Sequence, residues 1–184
     1  MTVLPSAYLE QKPIYLRSGD PIELPEHTRY VSLREYLLDH TVISFTKKAL
    51  ELLGAKKHSV RVRSTSEFPY NCVGMVLGNR RAWIDMDTEN IESSLTKDGY
   101  KRVSQHLLTV GDIVLYEQEN EFTHIGMVIF VDNQDVKNTS VLSKWDFAGE
   151  FVHHLHDVPS DYGVASQFWS ERVAHDTERL LRED

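Results

Sequence analysis

The order of apolar and polar positions predicts helices in the first half of the chain. Residues 33–54 carry apolar side chains at helical spacing, although the β-branched stretch HTVISF favours a break into two helices. A further helix should begin near Asn71 or Cys72, because the preceding FPY segment contains a proline that disfavours helix before it. Another is predicted between Asp87 and Gly99, and SVRVRS alternates as a short strand does.

The second half of the chain changes to a strand-like pattern. Apolar runs at 113–116, 125–131 and 141–145 are separated by polar, turn-like segments, which predicts an antiparallel three-stranded unit. Residues 149–163 are expected to form a loop with a short helix, and residues 166–184 a charged amphipathic helix. Helices followed by an antiparallel sheet indicate an α+β fold.

Domain organisation follows from the prolines and the length. Four prolines fall in residues 1–30, which predicts an extended, proline-rich arm with short strands at best and no packing of its own. Residues 31–184 then form a single α+β domain that ends in the C-terminal helix. A chain of 184 residues fits this arrangement.

Composition and charge narrow the classes of function. Hydrophobic residues make up 41% and charged residues 26%, as in a globular protein with a real core. The net charge of −8 argues against nucleic acid as a partner, since phosphate binding needs clustered Lys and Arg. No apolar run reaches the roughly 20 residues of a membrane span, and the N-terminus lacks a signal-peptide pattern. We therefore expect no membrane partner and a cytoplasmic location, with export by a signal-independent route left open.

The single cysteine, Cys72, is the first candidate for chemistry. One cysteine excludes an internal disulfide and a cysteine-based zinc cluster. A helix N-terminus and a nearby imidazole both lower a thiol pKa, and Cys72 is predicted to lie at such a terminus. Among nine histidines, His124 opens the predicted strand HIGMVIF, where its side chain could reach the thiol. Cys72 is thus the predicted nucleophile and His124 the predicted base.

A catalytic histidine also needs a partner that orients its ring. Folding the chain back after the 125–131 strand places a residue between 143 and 146 beside His124, so Ser143 or Asp146 is the candidate, and the face that each occupies stays open. The N–H of Cys72 and the side chain of Asn71 could hold an oxyanion. Two aromatic residues are predicted to lie in the core or to form the wall of a substrate groove: Trp83 and Trp145.

An ordered set of short motifs resembles the core of papain-like cysteine peptidases and amidases of the NlpC and CHAP type. These motifs are YNCVGMVLG, then Gly111-Asp112 before the apolar run IVLY, then HIGMV beginning at His124. Further stretches, LSKW and EFVHH…YG, are similar to a poorly characterised bacterial branch of that group. The resemblance covers about 68–163. It departs at Val73-Gly74, where such enzymes carry a small hydroxyl residue and an aromatic, and no histidine follows His124 on the next strand.

The resemblance implies a thiol-dependent hydrolase, a peptidase, amidase or deamidase acting on an amide bond through a Cys-His dyad or triad. Peptidoglycan peptides or protein amides are the implied substrates, and a bacterial effector or toxin would fit. The alternative is a catalytically inactive papain-like binding module, such as an immunity or adaptor protein. We expect no cofactor and no metal. A zinc or nickel site would be the competing interpretation of one cluster: His153, His154, His156 and Asp157.

Overall fold

The computed structural model describes residues 15–22, 40–64, 70–146 and 148–172 of the chain. These residues form an α+β fold built on one seven-stranded sheet, in the order β1-β6-β5-β4-β3-β7-β2. Every neighbouring pair of strands in it is antiparallel. The predicted three-stranded unit is present as its centre, since β3, β4 and β5 are consecutive neighbours.

The strands alternate apolar and polar side chains, or are apolar on both faces where helices or loops cover the sheet on both sides. SVRVRS is confirmed as a strand, and the three predicted apolar runs correspond to β3, β4 and β5. The bounds are β1 Val60–Ser64, β2 Lys101–Val103, β3 Ile113–Gln118, β4 Glu121–Phe130, β5 Ser140–Trp145, β6 Gly149–His154 and β7 Val164–Ser170.

Three α-helices accompany the sheet in the described residues: α1 at His40–Ala55, α2 at Cys72–Val76 and α3 at Thr88–Lys97. The β-branched stretch of α1 does not interrupt the helix after His40, and the earlier part of the predicted helix lies outside the described residues. The predicted start of α3 is confirmed, because the side chain of Asp87 accepts a hydrogen bond from the Asn90 amide as an N-cap does.

The two faces of the sheet are covered by different elements. Helix α1 packs on one face, here called the α1 face, where Ala49 contacts a cluster that includes Val60, Trp145 and Phe151. Helices α2 and α3 pack on the opposite face, here called the α2 face, where Val73 joins a cluster with strand residues such as Ile125. The site described below depends on which face each side chain occupies.

Part of the predicted extended arm is packed against the domain. Leu16 and Ile22 are buried in the same cluster as Val73, on the α2 face. A turn holds the segment together, since the Leu16 amide donates to the Asp20 carbonyl and Tyr15 forms a bridge with Pro21. Residues 15–22 of the predicted arm therefore pack on the domain, because apolar side chains between the prolines are buried in its core.

Two predictions for the C-terminal third are wrong. Residues 166–170, expected to begin an amphipathic helix, belong to β7, which pairs with β3 and β2 on its two sides. Residues 149–154, expected to be a loop, form β6 between β1 and β5. Hydrogen bonds to two neighbouring strands hold both segments in the sheet, and in 166–170 they outweigh a weak helical periodicity. The rest of the predicted C-terminal helix, 173–184, lies outside the described residues.

The helices found in the described parts of the chain include none with both the length and the apolar composition needed to cross a bilayer.

Glycine at position 74 allows α2 to lie against the following loop. A Cβ atom at Gly74 would come within 1.8 Å of the backbone carbonyl oxygen of Ala82 and 3.1 Å of Tyr70 Cβ. The Arg80 amide donates to the Gly74 carbonyl oxygen over 2.9 Å, which ties the same loop to the helix. The loop can therefore pass α2 at this distance only while position 74 has no side chain.

We predict that Gly74→Ala lowers the free energy of unfolding by about 3 kcal/mol, because a backbone carbonyl cannot move aside as a side chain can. Gly54→Ala is the matched control, since a Cβ at Gly54 meets nothing within 4 Å. That control should leave stability unchanged or raise it by up to about 1 kcal/mol. Urea denaturation of both variants measures the difference, and equal stabilities would contradict the packing described.

Candidate functional site

Asn71 determines where α2 begins. Its backbone is extended and its side-chain oxygen accepts hydrogen bonds from the amides of Gly74 at 2.9 Å and Ile84 at 3.1 Å. Its side-chain nitrogen donates to the Ile84 carbonyl at 2.7 Å. Asn71 is therefore an N-cap that also ties the helix start to the loop at Ile84. One N–H of the amide that the sequence proposed as an oxyanion donor is therefore bonded to the Ile84 carbonyl.

A cavity of about 300 Å³ lies beside the N-terminus of α2. It is found where β4 begins and β5 ends, so it is open to side chains from both strands and from the loop after α2. Its walls combine aromatic, acidic and small polar residues with the lone thiol: Asn71, Cys72, Val73, Trp83, Ile84, Asp85, Met86, Phe122, Thr123, Asp146 and Tyr162.

Cys72 lies on the wall of this cavity, half-buried, with its thiol protonated at neutral pH. Withdrawal of the sulfur from water, followed by the negative charge of Asp146, raises the pKa of Cys72 from about 9 to about 12. Backbone amides of Ile125, Val73 and Cys72 itself act in the opposite direction but do not outweigh burial. A thiol of this pKa is about one part in 10⁵ thiolate at pH 7.

His124 does not meet Cys72, and the predicted dyad is not assembled. Cys72 packs against the cluster that contains Ile125, on the α2 face. Successive residues of a strand point to opposite faces, so the His124 side chain lies on the α1 face. Neither ring nitrogen of His124 has a hydrogen-bond partner within the described residues, the sulfur included. The prediction of His124 as the base for Cys72 is therefore wrong.

The His124 ring is sealed into the core. It is fully buried and stacks on Tyr162, with ring centroids 3.7 Å apart and planes inclined by 3°. Tyr162 also lines the cavity, whereas His124 is not among the lining residues. Burial, and then repulsion from His153, lower the pKa of His124 well below its usual value. His124 is a neutral core residue.

Ser143 lies on the same face as His124 but serves another histidine. It pairs directly with Gly126, two residues along β4, and its hydroxyl lies 2.8 Å from Nε2 of His153. Nδ1 of His153 donates to the His154 carbonyl at 2.8 Å, so in the neutral ring Nε2 accepts from the Ser143 hydroxyl. The predicted role of Ser143 as a partner of His124 is therefore wrong.

Trp145 completes this buried network instead of lining a groove. Its indole N–H donates to the Ser143 hydroxyl at 3.0 Å, and its ring stacks on Phe151 with centroids 4.1 Å apart. It is fully buried on the α1 face. Of the two positions left open in the sequence, core or groove wall, Trp145 takes the first. It is not a substrate-binding residue.

Asp146 is brought to the cavity, where it faces Cys72 in place of the predicted histidine. The turn after β5 gives it a positive φ of 44° and directs it away from the α1 face. Burial raises the pKa of Asp146 to about 6; nearby Lys144 lowers it and the Asp85 carboxylate raises it. Its predicted role of orienting His124 is wrong, because the two residues lie on opposite sides of β4 and β5. Its carboxylate instead contributes negative charge to the cavity wall.

Trp83 lies on the cavity wall, and it brings a partner that sequence reasoning missed. Its indole N–H donates to Asp85 Oδ1 at 2.9 Å, which holds the carboxylate at the cavity. Phe122 and Tyr162 were also missed, although Phe122 precedes His124 by two residues. The only signal in the sequence was the Trp-x-Asp spacing after α2, which alone does not indicate a site.

The histidines proposed as a competing metal site are separated by the fold. His153 is buried in the network with Ser143, His154 is half-buried, and His156 is exposed in the turn after β6. Burial lowers the pKa of His153 to about 4, against a smaller opposing effect of its bond to the His154 carbonyl. In the part of the chain that the structure describes, no three His, Cys, Asp or Glu residues are grouped so that they could hold a metal ion.

We predict that stability falls as the pH drops from about 6.5 to about 4. Both buried histidines have folded-state pKa values below the unfolded value of about 6.5, so in this window the unfolded chain binds more protons. Each contributes up to about 1.4 kcal/mol of lost stability per pH unit. Urea denaturation across this range should show a shallower pH slope for His124→Leu than for the unchanged chain.

The matched control for this titration is His156→Gln, because His156 is exposed and should leave the slope unchanged. If His124→Leu and His156→Gln had the same slope as the unchanged chain, His124 would not be held neutral by burial.

Comparison with known proteins places the chain in a family. No curated protein matches it. Residues 61–170 match a family described as a domain of unknown function, DUF7689. The match covers more than half of the chain and runs from β1 to the end of β7, so it includes α2, the cavity and both buried histidines. The chain belongs to the DUF7689 family.

Proposed function

We propose that the chain is a non-catalytic binding module whose cavity beside Cys72 accepts a positively charged group, such as the Lys or Arg side chain of a partner protein. The observation that carries this proposal is the cavity wall, where two carboxylates and three aromatic rings surround a protonated thiol. The sequence left a binding module open as an alternative to an enzyme, and the cavity wall adds cationic groups as the class of ligand.

The two carboxylates supply the charge. Asp146 is poorly solvated, and the Asp85 carboxylate lies near enough to disfavour its ionisation further. A cation in the cavity would relieve both effects, since an opposite charge favours the ionised carboxylates. Lys144 offsets part of this charge, and its ammonium group donates to the backbone carbonyl of Asp146. One carboxylate in excess of the lysine remains for a ligand.

The aromatic residues supply surfaces for the apolar stem and for the cation. Trp83, Phe122 and Tyr162 line the same cavity as the carboxylates. A cation over an aromatic face gains about 0.5–2 kcal/mol, and Lys and Arg side chains carry methylene groups that pack on such rings. A volume of about 300 Å³ suits one side chain of this size.

Thiol-dependent hydrolysis of an amide bond is the second candidate. The observation that favours it is the position of Cys72 at the start of α2, on the cavity wall, with backbone amides near the sulfur. Such amides are the groups that stabilise an oxyanion. The absence of an imidazole at the sulfur among the described residues ranks this candidate below the first. Peptide or protein amides would be its substrates.

A papain-like ancestry fits both candidates and is part of the proposal. It is supported by a helix that begins at a cysteine and packs on β4 and β5, with the cysteine before the histidine in the chain. The position of His124 on the opposite face is the departure that an inactive descendant would carry. A cytoplasmic location, with a protein partner, is proposed on the sequence evidence given above.

We predict that the protein binds agmatine or cadaverine with a measurable Kd at pH 7, and that Asp146→Asn and Asp85→Asn each weaken binding about tenfold, since each removes a charge-assisted contact. Because protonation of Asp146 near pH 6 removes its charge, the Kd should rise about tenfold from pH 7 to pH 5. Isothermal titration calorimetry measures both effects.

The control variant for this binding is Glu89→Gln, which removes an exposed carboxylate from the first turn of α3. Two control ligands are used. N-acetylcadaverine is larger and keeps one amine, and 1-pentanol keeps the five-carbon stem without the charge. Equal affinity for 1-pentanol and cadaverine would sink the cation proposal, as would equal weakening by Glu89→Gln.

We predict that Cys72 reacts slowly with iodoacetamide at pH 7 and that its rate rises with pH beyond pH 10, because its pKa is raised to about 12. The chain has one cysteine, so the rate reports this site alone. The same chain in guanidinium chloride, with an ordinary thiol pKa of about 8.5, is the reference. A rate plateau below pH 8 in the folded protein would favour the hydrolase over the binding module.

A further inference from the structure

We propose that the outer edge of β1, together with Arg61, Arg63 and Arg80, binds an acidic, extended polypeptide segment that adds to the sheet as a further strand. This surface lies at the end of the sheet away from β2, and the proposal does not depend on the function of the cavity.

The first observation is that β1 ends the sheet. It pairs with β6 on one side, and among the described residues no strand pairs with its other side. The Ser59 carbonyl accepts a hydrogen bond from the His154 amide, so alternation along the strand directs the N–H and C=O of Val62 away from β6. Val62 is exposed, and these groups are therefore available to an added strand.

The second observation is a cluster of guanidinium groups held at this edge by one buried carboxylate. Glu150 of β6 is fully buried and accepts hydrogen bonds from Arg63, from Arg80 and, at 2.9 Å, from the Tyr70 hydroxyl. Burial acts to raise the pKa of Glu150, but the bonds from its partners outweigh it and keep the pKa below the usual value. The carboxylate therefore stays charged and holds both arginines in place.

The positive charge of this cluster exceeds its negative charge. The Arg63 and Arg80 side chains remain 51% and 38% exposed although each contacts Glu150. Arg61 is exposed and makes no ion pair with any described residue. One buried carboxylate thus accompanies three arginines at this edge.

Charge complementarity identifies the occupant as acidic. Arg61 pairs with Val152, which packs with Tyr70 on the α2 face, so it lies on the same side as Arg63 and Arg80. A strand added to β1 would place alternate side chains over these groups, and Asp or Glu at those positions would meet them. The chain as a whole carries a net charge of −8, so this edge is a local exception to its surface.

The test uses fluorescence anisotropy with a labelled peptide of about eight residues that alternates Glu and Thr. Two matched probes carry Lys in place of Glu, or N-methyl groups on alternate amides that keep the charge but block strand pairing. A single-stranded DNA oligonucleotide of equal charge tests for a general polyanion surface. Arg61→Glu is compared with Lys101→Glu, which reverses an exposed charge on β2 at the opposite edge of the sheet.

We expect saturable binding of the Glu peptide, weakened about fivefold by Arg61→Glu and by added salt and unchanged by Lys101→Glu. The N-methylated and Lys peptides should bind at least about tenfold more weakly. Failure of the Glu peptide to bind would overturn the proposal, with the arginines then serving only to protect the edge. Equal binding of the N-methylated peptide or of the DNA would overturn strand addition.

Discussion

Adjacent residues of a β-strand point to opposite faces of the sheet, and this constraint in β4 decides which side chains lie on the same face as Cys72. Ile125 packs beneath α2 with Val73, so its neighbour His124 must face α1. A shift of one residue in the register would exchange the two, but it would also bury polar side chains under both helices. The same burial of apolar side chains that stabilises the sheet therefore keeps the His124 imidazole and the Cys72 thiol on opposite faces.

The separation has electrostatic consequences on both faces. On the α2 face, Cys72 has a carboxylate as its nearest charge, and both burial and this charge favour the neutral thiol. On the α1 face, His124 lies against Tyr162 and near His153, where a positive charge would be costly. Neither group is poised for proton transfer near neutral pH. The cavity beside Cys72 combines negative charge and aromatic residues, and the proposal of cation binding rests on these two features.

Several elements could be predicted from the sequence because their signals are local. The N-cap at Asp87, the start of α2 at Cys72 and the alternation of β1 all depend on residues close in the chain. The wrong predictions concern segments whose structure depends on distant partners. Residues 166–170 carry a weak helical pattern, yet they join β7 because β3 and β2 offer hydrogen bonds on both sides.

The site follows the same division between local and distant causes. The sequence by itself determined that one thiol would lie at the start of a short helix, that a histidine would enter the central strand, and that the fold would be α+β. Only the tertiary structure decided that the histidine faces away, that Asp146 and Asp85 share a cavity with Trp83, and that Glu150 gathers two arginines at the sheet edge. The reason is physical: strand periodicity specifies that neighbours face opposite ways, but the packing of the helices decides which neighbour faces which way.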